Sequence, residues 1–179
     1  MHAFEHQKAT TAFIQKNPQC LITSDPGTGK TRSVLDAYVS GKEDKGRLLV
    51  LAPLSILQAS WGEDICKFTN SLQYQVAYAR NRKKVFESNA QVVITNHDAV
   101  KWLASNQKYL KDFNTICIDE FTAFKNRTSQ RSKALAIIAT KFKYRIGMSG
   151  TPNSNTILDL WHPCYVIDGG KRLGPKFYT

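Results

Sequence analysis

The sequence predicts an α/β fold, a single domain built on a mostly parallel sheet with helices on both faces. Three observations carry this. Apolar runs alternate with helix-like stretches along the chain. Several runs are almost continuous in Val, Ile, Leu or Tyr, as strands covered on both faces are. Between the first run and the first long helical stretch lies Ser24-Asp25-Pro26-Gly27-Thr28-Gly29-Lys30-Thr31, a phosphate-binding type of loop in a strand–loop–helix context.

In chain order, strands are expected over residues 20–23, 48–52, 74–78, 91–95, 115–119 and 144–148. Helices are expected over residues 8–15, 30–39, 56–67, 81–88, 99–105 and 130–141. Regular strand–helix alternation of this kind builds parallel sheets, because each parallel pair needs a crossover. Residues 40–46 are polar and contain Gly41 and Gly46, so they read as a loop. After Trp161 the composition changes, and Asp168-Gly169-Gly170-Lys171-Arg172-Leu173-Gly174-Pro175 also reads as loop. The expected domain is therefore 1–161, followed by a basic, Gly-rich tail over 162–179. No internal repeat or low-complexity tract stands out.

The length of 179 residues supports one domain with a real core. A net charge of +11 favours a polyanionic partner, most often nucleic acid. A membrane surface fits less well, since no basic amphipathic helix with a broad apolar face is seen. No apolar run approaches the roughly 20 residues that span a bilayer, and the first six residues do not read as a signal peptide. The four cysteines are far apart, with no Cys-x-x-Cys pair, so zinc has little support. Cys20 and Cys117 read as buried thiols, which points to a reducing, cytoplasmic compartment.

The glycines of the loop let backbone N–H groups curl round an anion. The helix that follows adds its positive end. Asp25, Pro26, Gly27, Thr28 and Gly29 then form the cradle, Lys30 reaches the outer phosphates, and Thr31 can hold Mg2+. Ser24 stands where the usual Gly-x-x-x-x-Gly-Lys-Ser/Thr pattern has its first Gly, and its small size keeps the turn. A second element, Thr115-Ile116-Cys117-Ile118-Asp119-Glu120, is an apolar strand ending in two acids. In open α/β sheets the chemistry lies beyond the carboxyl ends of the strands. Asp119 is placed to hold Mg2+ through water, and Glu120 to orient or deprotonate the attacking water. Either acid taken alone also fits a solvated strand end.

These residues resemble the superfamily 2 helicases and translocases, in particular the Swi/Snf-like branch, including bacteriophage members. Phe4 and Gln7 resemble the aromatic and glutamine that read adenine, although Gln7 also fits an ordinary surface residue. Residues 24–31 resemble motif I. Residues 49–57 with Trp61 and Glu63 are similar to motif Ia, and 92–97 to motif Ib. Asp119-Glu120-Phe121-Thr122-Ala123-Phe124-Lys125-Asn126 resembles motif II, and residues 146–155 resemble motif III with its Ser149-Gly150-Thr151-Pro152 core.

The resemblance implies a RecA-like P-loop NTPase lobe that uses ATP and Mg2+. It implies contact with a DNA backbone through Pro53, Leu54, Ser55 and Thr95, and coupling through Ser149, Gly150 and Thr151. The segment 53–55 reads equally well as a turn and helix cap, while Trp61 reads as core packing. Basic clusters at residues 80–84 and 141–145 can attract DNA, but such runs more often form a solvated face. Thr122 departs from the His that many relatives carry, so coupling between nucleotide and motif III is open there. The family works with two lobes, the second supplying arginine fingers, and only 28 residues follow Thr151. The expected function is thus the ATP-hydrolysing lobe of a DNA translocase, fully active with a second lobe. The alternative is a non-catalytic, single-lobe module that binds DNA or a partner. A small kinase would need a basic lid and an acceptor pocket, which the ordered motifs do not suggest.

Overall fold

The computed structural model describes residues 2–41, 45–69, 71–152 and 156–177. Residues 42–44 of the expected loop and 153–155 at the end of the motif III-like segment lie outside the described residues. So do Met1, Asn70 and the last two residues.

Six strands form one sheet: β1 (Gln19–Ile22), β2 (Arg47–Ala52), β3 (Tyr74–Ala77), β4 (Val92–Asn96), β5 (Phe113–Asp119) and β6 (Tyr144–Met148). The order across the sheet is β1-β6-β5-β2-β4-β3, and every pairing is parallel. All six lie within a few residues of their expected positions. The continuous apolar runs are explained by period-two alternation between two cores. Leu49, Leu51, Val93, Ile116 and Ile118 enter one. Leu48, Val50, Ala52, Val92, Ile94 and Cys117 enter the other.

On one face lie α1 (Glu5–Lys16), α2 (Lys30–Val39) and α3 (Glu63–Phe68), which bring Ile14, Val34, Leu35 and Ile65 to the sheet. On the other lie α4 (Arg82–Phe86), α5 (Ala99–Ser105), α6 (Gln130–Ala139) and α7 (Trp161–Asp168), bringing Phe86, Leu103, Leu135 and Ile167. Helix α6 starts on a Ser129 cap, whose Oγ accepts from the Ser132 backbone N–H. The helix expected over 56–67 is not continuous. A 3-10 turn (Leu54–Ile56) leads into a π-helical segment (Leu57–Gly62) before α3 begins. Such wide turns often mark functional positions.

Helix α7 has no counterpart in the sequence expectation, which saw only a change of composition after Trp161. His162, Cys164, Val166 and Ile167 are buried. The helix ends at Gly169, whose φ of 69° suits glycine. The Asp168 carboxylate, 4% exposed, then gathers the segment that follows. It accepts from the backbone N–H of Gly170, Lys171 and Arg172 at 2.9, 3.1 and 3.2 Å, and from Arg172 Nη1 at 3.1 Å. Arg172 Nη2 donates on to Gln19 O at 3.0 Å, tying this turn to β1. Asp168→Ala is expected to destabilise the fold by about 2–4 kcal/mol, since four part-buried N–H donors lose one buried, charged acceptor together. Urea denaturation measures this, and a change under about 0.5 kcal/mol would refute it.

The cysteines Cys20, Cys117 and Cys164 are buried, and Cys66 is exposed, all as free thiols. Burial pushes the Cys20 thiol up to about 12 and Cys117 well above its ordinary range. Among the described residues no helix is long and apolar enough to cross a membrane, and no cluster of His, Cys, Asp or Glu forms a metal cage.

Candidate active site

Strand order brings the motifs together. Strand β6 lies between β1 and β5, so the segments leaving all three carboxyl ends are neighbours. The 24–31 loop follows β1, Asp119 and Glu120 end β5, and Ser149-Gly150-Thr151 follows β6. Strands β2 and β4 come next, carrying the 53–62 and 97 segments.

In the loop, positive φ falls only on Gly27 (77°) and Gly29 (76°), so Ser24 occupies a position that does not require glycine. Lys30 Nζ donates to Ser24 O at 2.8 Å and Asp25 O at 2.9 Å, and Thr28 Oγ1 donates to Asp25 O at 2.9 Å. These bonds tie the loop's two ends into a ring. Helix α2 begins at Lys30 without a side-chain cap. Its first N–H groups have no intrahelical acceptors, and they suit an anion.

Gln7 is buried, not a surface residue. Its Oε1 accepts from Phe4 N–H at 3.1 Å and its Nε2 donates to Thr28 O at 3.2 Å, so its amide joins the α1 N-terminus to the loop. A Cβ on Gly29 would run into the Gln7 side-chain amide and displace it, and the φ of 76° there also favours glycine. Phe4 is 66% exposed and stacks on His6, presenting a flat apolar platform beside this junction.

Asp119 is buried and both carboxylate oxygens are engaged. Oδ2 accepts from Trp61 Nε1 at 2.9 Å, and Oδ1 from Glu120 N–H at 3.0 Å. Burial raises its pKa, while the Trp61 bond and the Lys30 charge lower it. Its carbonyl meets His97 Nε2 at 2.7 Å. Each carboxylate oxygen keeps a further lone pair, so a buried acid anchored in this way fits a divalent cation held through water. Thr31, half-buried in the first turn of α2, has the right chemistry for a second ligand.

Glu120 is the one non-glycine residue with positive φ (50°) among the described residues. Left-handed geometry costs a side-chain-bearing residue about 1–2 kcal/mol, and such strain gathers at working sites. It turns the chain sharply out of β5. Glu120 Oε2 accepts from Ser149 Oγ at 3.0 Å, and Ser149 Oγ accepts from Thr151 N–H at 3.1 Å. The contact between the motif II-like and motif III-like segments is thus made by Ser149, not by Thr122. Gly150 sits against the phosphate loop, and a Cβ there would lie 2.7 Å from Pro26 Cγ. Gly150→Ala is expected to displace Pro26 and weaken nucleotide binding several-fold. Unchanged affinity in a fluorescent-nucleotide titration would refute this.

Pro53 is half-buried, while Leu54 (62% exposed) and Ser55 lie open at the end of β2. Thr95 requires a correction. It is fully buried, and its hydroxyl donates to Ala77 O at 2.7 Å, which leaves no side-chain surface for nucleic acid. Trp61 packs in the core as expected, but its indole N–H reaches Asp119, a role that sequence reasoning missed. His97, passed over in the sequence, holds the Asp119 backbone. The available signal was general: a buried Trp N–H or His ring finds a polar partner. The basic clusters divide in the same way. Arg82 donates to Asn96 Oδ1 and Arg145 to Phe142 O, whereas Lys83, Lys84, Lys141 and Lys143 are exposed.

The SNF2-related domain family matches this sequence over residues 6–164. The chain belongs to that family. The domain is 35% identical over 165 residues to putative protein p41 of Acyrthosiphon pisum secondary endosymbiont phage 1, covering 84% of this chain and 36% of the relative. It is 29% identical to ATP-dependent helicase FUN30 of Saccharomyces cerevisiae, covering 83% of this chain and 14% of the relative. It superimposes on the Sulfolobus solfataricus SWI2/SNF2 ATPase core in complex with dsDNA with a TM-score of 0.83 and 24% identity. That match covers 99% of this chain and 37% of the other. The SNF2-related domain thus spans about a third or less of these proteins' lengths, and its fold is that of part of an ATPase core.

Burial holds the rings of His97 and His162 below their ordinary value of 6.5. Both rings therefore favour the neutral form more than a free imidazole does. As pH falls below about 6.5 the unfolded chain takes up protons that the native rings refuse, so stability falls. The urea midpoint is expected to drop between pH 7.5 and pH 6, and to drop less in His162→Gln. A midpoint that rises on acidification would contradict this sign.

Proposed function

We propose that this domain is the ATP-binding and hydrolysing lobe of a motor that moves on DNA, acting with a second RecA-like lobe in cis or in trans. The observation that supports this best is the junction of Glu120 with Ser149, beside Gly150 packed on Pro26. A segment that touches both the candidate base and the phosphate loop can relay nucleotide state to whatever it contacts next.

In this reading Lys30 and the α2 N-terminus bind the phosphates, with Phe4 and the Gln7 junction beside the base. Thr31 and Asp119 hold Mg2+, which when bound neutralises phosphate charge. Glu120 takes a proton from the attacking water. Pro53, Leu54 and Ser55 meet the DNA backbone, whose contacts carry no sequence information and so suit a translocating motor. A second lobe would add arginine, worth about 10³–10⁵ in rate.

The test is ATP hydrolysis by this chain at low salt, with and without duplex DNA, beside Lys30→Ala. Nucleotide binding that depends on Lys30, with slow turnover raised by a second lobe, is the expected result. Fast DNA-stimulated turnover by the chain alone would overturn the two-lobe part. Absence of Lys30-dependent nucleotide binding would overturn the reading as a whole.

A further inference from the structure

We infer that Trp61 is a positioning residue for the metal-holding carboxylate: its indole N–H fixes the orientation of Asp119, and so sets how tightly Mg2+ is held with nucleotide. This rests on the reading of Asp119 as a metal ligand.

Three features support it. Trp61 is fully buried, so its N–H has no water to satisfy it, and Asp119 Oδ2 at 2.9 Å is its acceptor. The Asp119 carboxylate otherwise has one clamp, the Glu120 N–H on Oδ1 at 3.0 Å. A carboxylate held by one donor can rotate about its χ2 torsion. Held by a donor on each oxygen, it cannot turn without breaking a charge-assisted bond in a buried setting. The remaining lone pairs then keep a fixed direction. Finally, Trp61 lies in the π-helical segment (Leu57–Gly62) that interrupts the expected helix, packed among Leu57 and Ile65. The ring is thereby located independently of Asp119, as a support must be. Partners that orient a ligand in this way typically change metal affinity by about 10–100-fold when lost.

The experiment titrates Mg2+ into the chain with a fluorescent ADP analogue and reads nucleotide affinity, with a parallel series in EDTA. Two variants remove the donor: Trp61→Phe, and the benzothiophene isostere of tryptophan at position 61, in which sulfur replaces N–H at nearly constant shape. The expected result is that both need about tenfold more Mg2+ for half-maximal enhancement of binding, while affinity in EDTA stays within twofold of wild type. Asp119→Asn should abolish the difference between Trp61 and its replacements. If the isostere behaves as wild type, the indole acts by packing alone and the inference falls. Nucleotide binding that Mg2+ does not enhance in the wild type removes Asp119 as a metal ligand and the inference with it. Loss of all nucleotide binding in the wild type would instead refute the phosphate site, a separate failure.

Discussion

Lys30→Ala is expected to weaken nucleotide binding by about 1.5–3 kcal/mol, roughly 10- to 150-fold. In the proposed reading the side chain is a charged donor at the mouth of an anion cradle. Its ammonium spans the Ser24 and Asp25 carbonyls at 2.8 and 2.9 Å. Those bonds keep the long side chain folded over the loop, so little rotamer freedom remains to be lost on binding. Alanine removes the charge and also opens the ring that joins the ends of the loop. The fold should survive, because Lys30 is only half-buried and begins a helix whose packing is done by Val34 and Leu35. A fluorescent-nucleotide titration reads the affinity, and urea denaturation confirms the fold. Affinity within threefold of wild type would place the phosphates elsewhere.

Glu120→Gln is expected to slow ATP hydrolysis about 10²–10⁴-fold while leaving nucleotide affinity nearly unchanged. The substitution removes the proton acceptor but keeps an oxygen that can accept from Ser149, so the motif II to motif III contact at 3.0 Å is preserved. It also keeps side-chain length at the strained left-handed position, where φ is 50°. Single-turnover hydrolysis separates the two readouts, since chemistry is followed from bound ATP. Equal rates for variant and wild type would mean that another group activates water. A loss of affinity matching the loss of rate would mean that Glu120 serves placement and not proton transfer.

The strands and the phosphate loop were legible because their signals are local. A strand buried on both faces must be apolar at successive positions, and a loop that wraps an anion needs glycine where φ is positive, as at Gly27 and Gly29. The two acids at the end of β5 were legible for a related reason: charge directly after an apolar strand marks where the strand ends, although the fold buries Asp119. Helix α7 was not, because Gly169, Gly170 and the basic residues after it dominate the composition. Its apolar face is short, and its end is set by Asp168, whose partners lie in the segment that follows it.

The surroundings expected of single side chains held only where no distant residue competed for them. Thr95, on sequence a surface hydroxyl at a strand end, is taken by Ala77 of the neighbouring strand. Gln7, free in sequence to read a base, spends one acceptor site and one donor of its amide on Phe4 and Thr28 and keeps one of each. The place of Trp61 in the motif Ia-like segment did not reveal what its N–H reaches, since that partner lies 58 residues away. The sequence by itself determined the α/β class, the family and the choice of Lys30, Asp119 and Glu120 as candidates, because periodicity, glycine placement and charge at strand ends act over a few residues. Only the tertiary structure decided which groups orient those three. The order β1-β6-β5-β2-β4 sets which loops are neighbours, and a buried donor or acceptor takes the partner that folding leaves within reach.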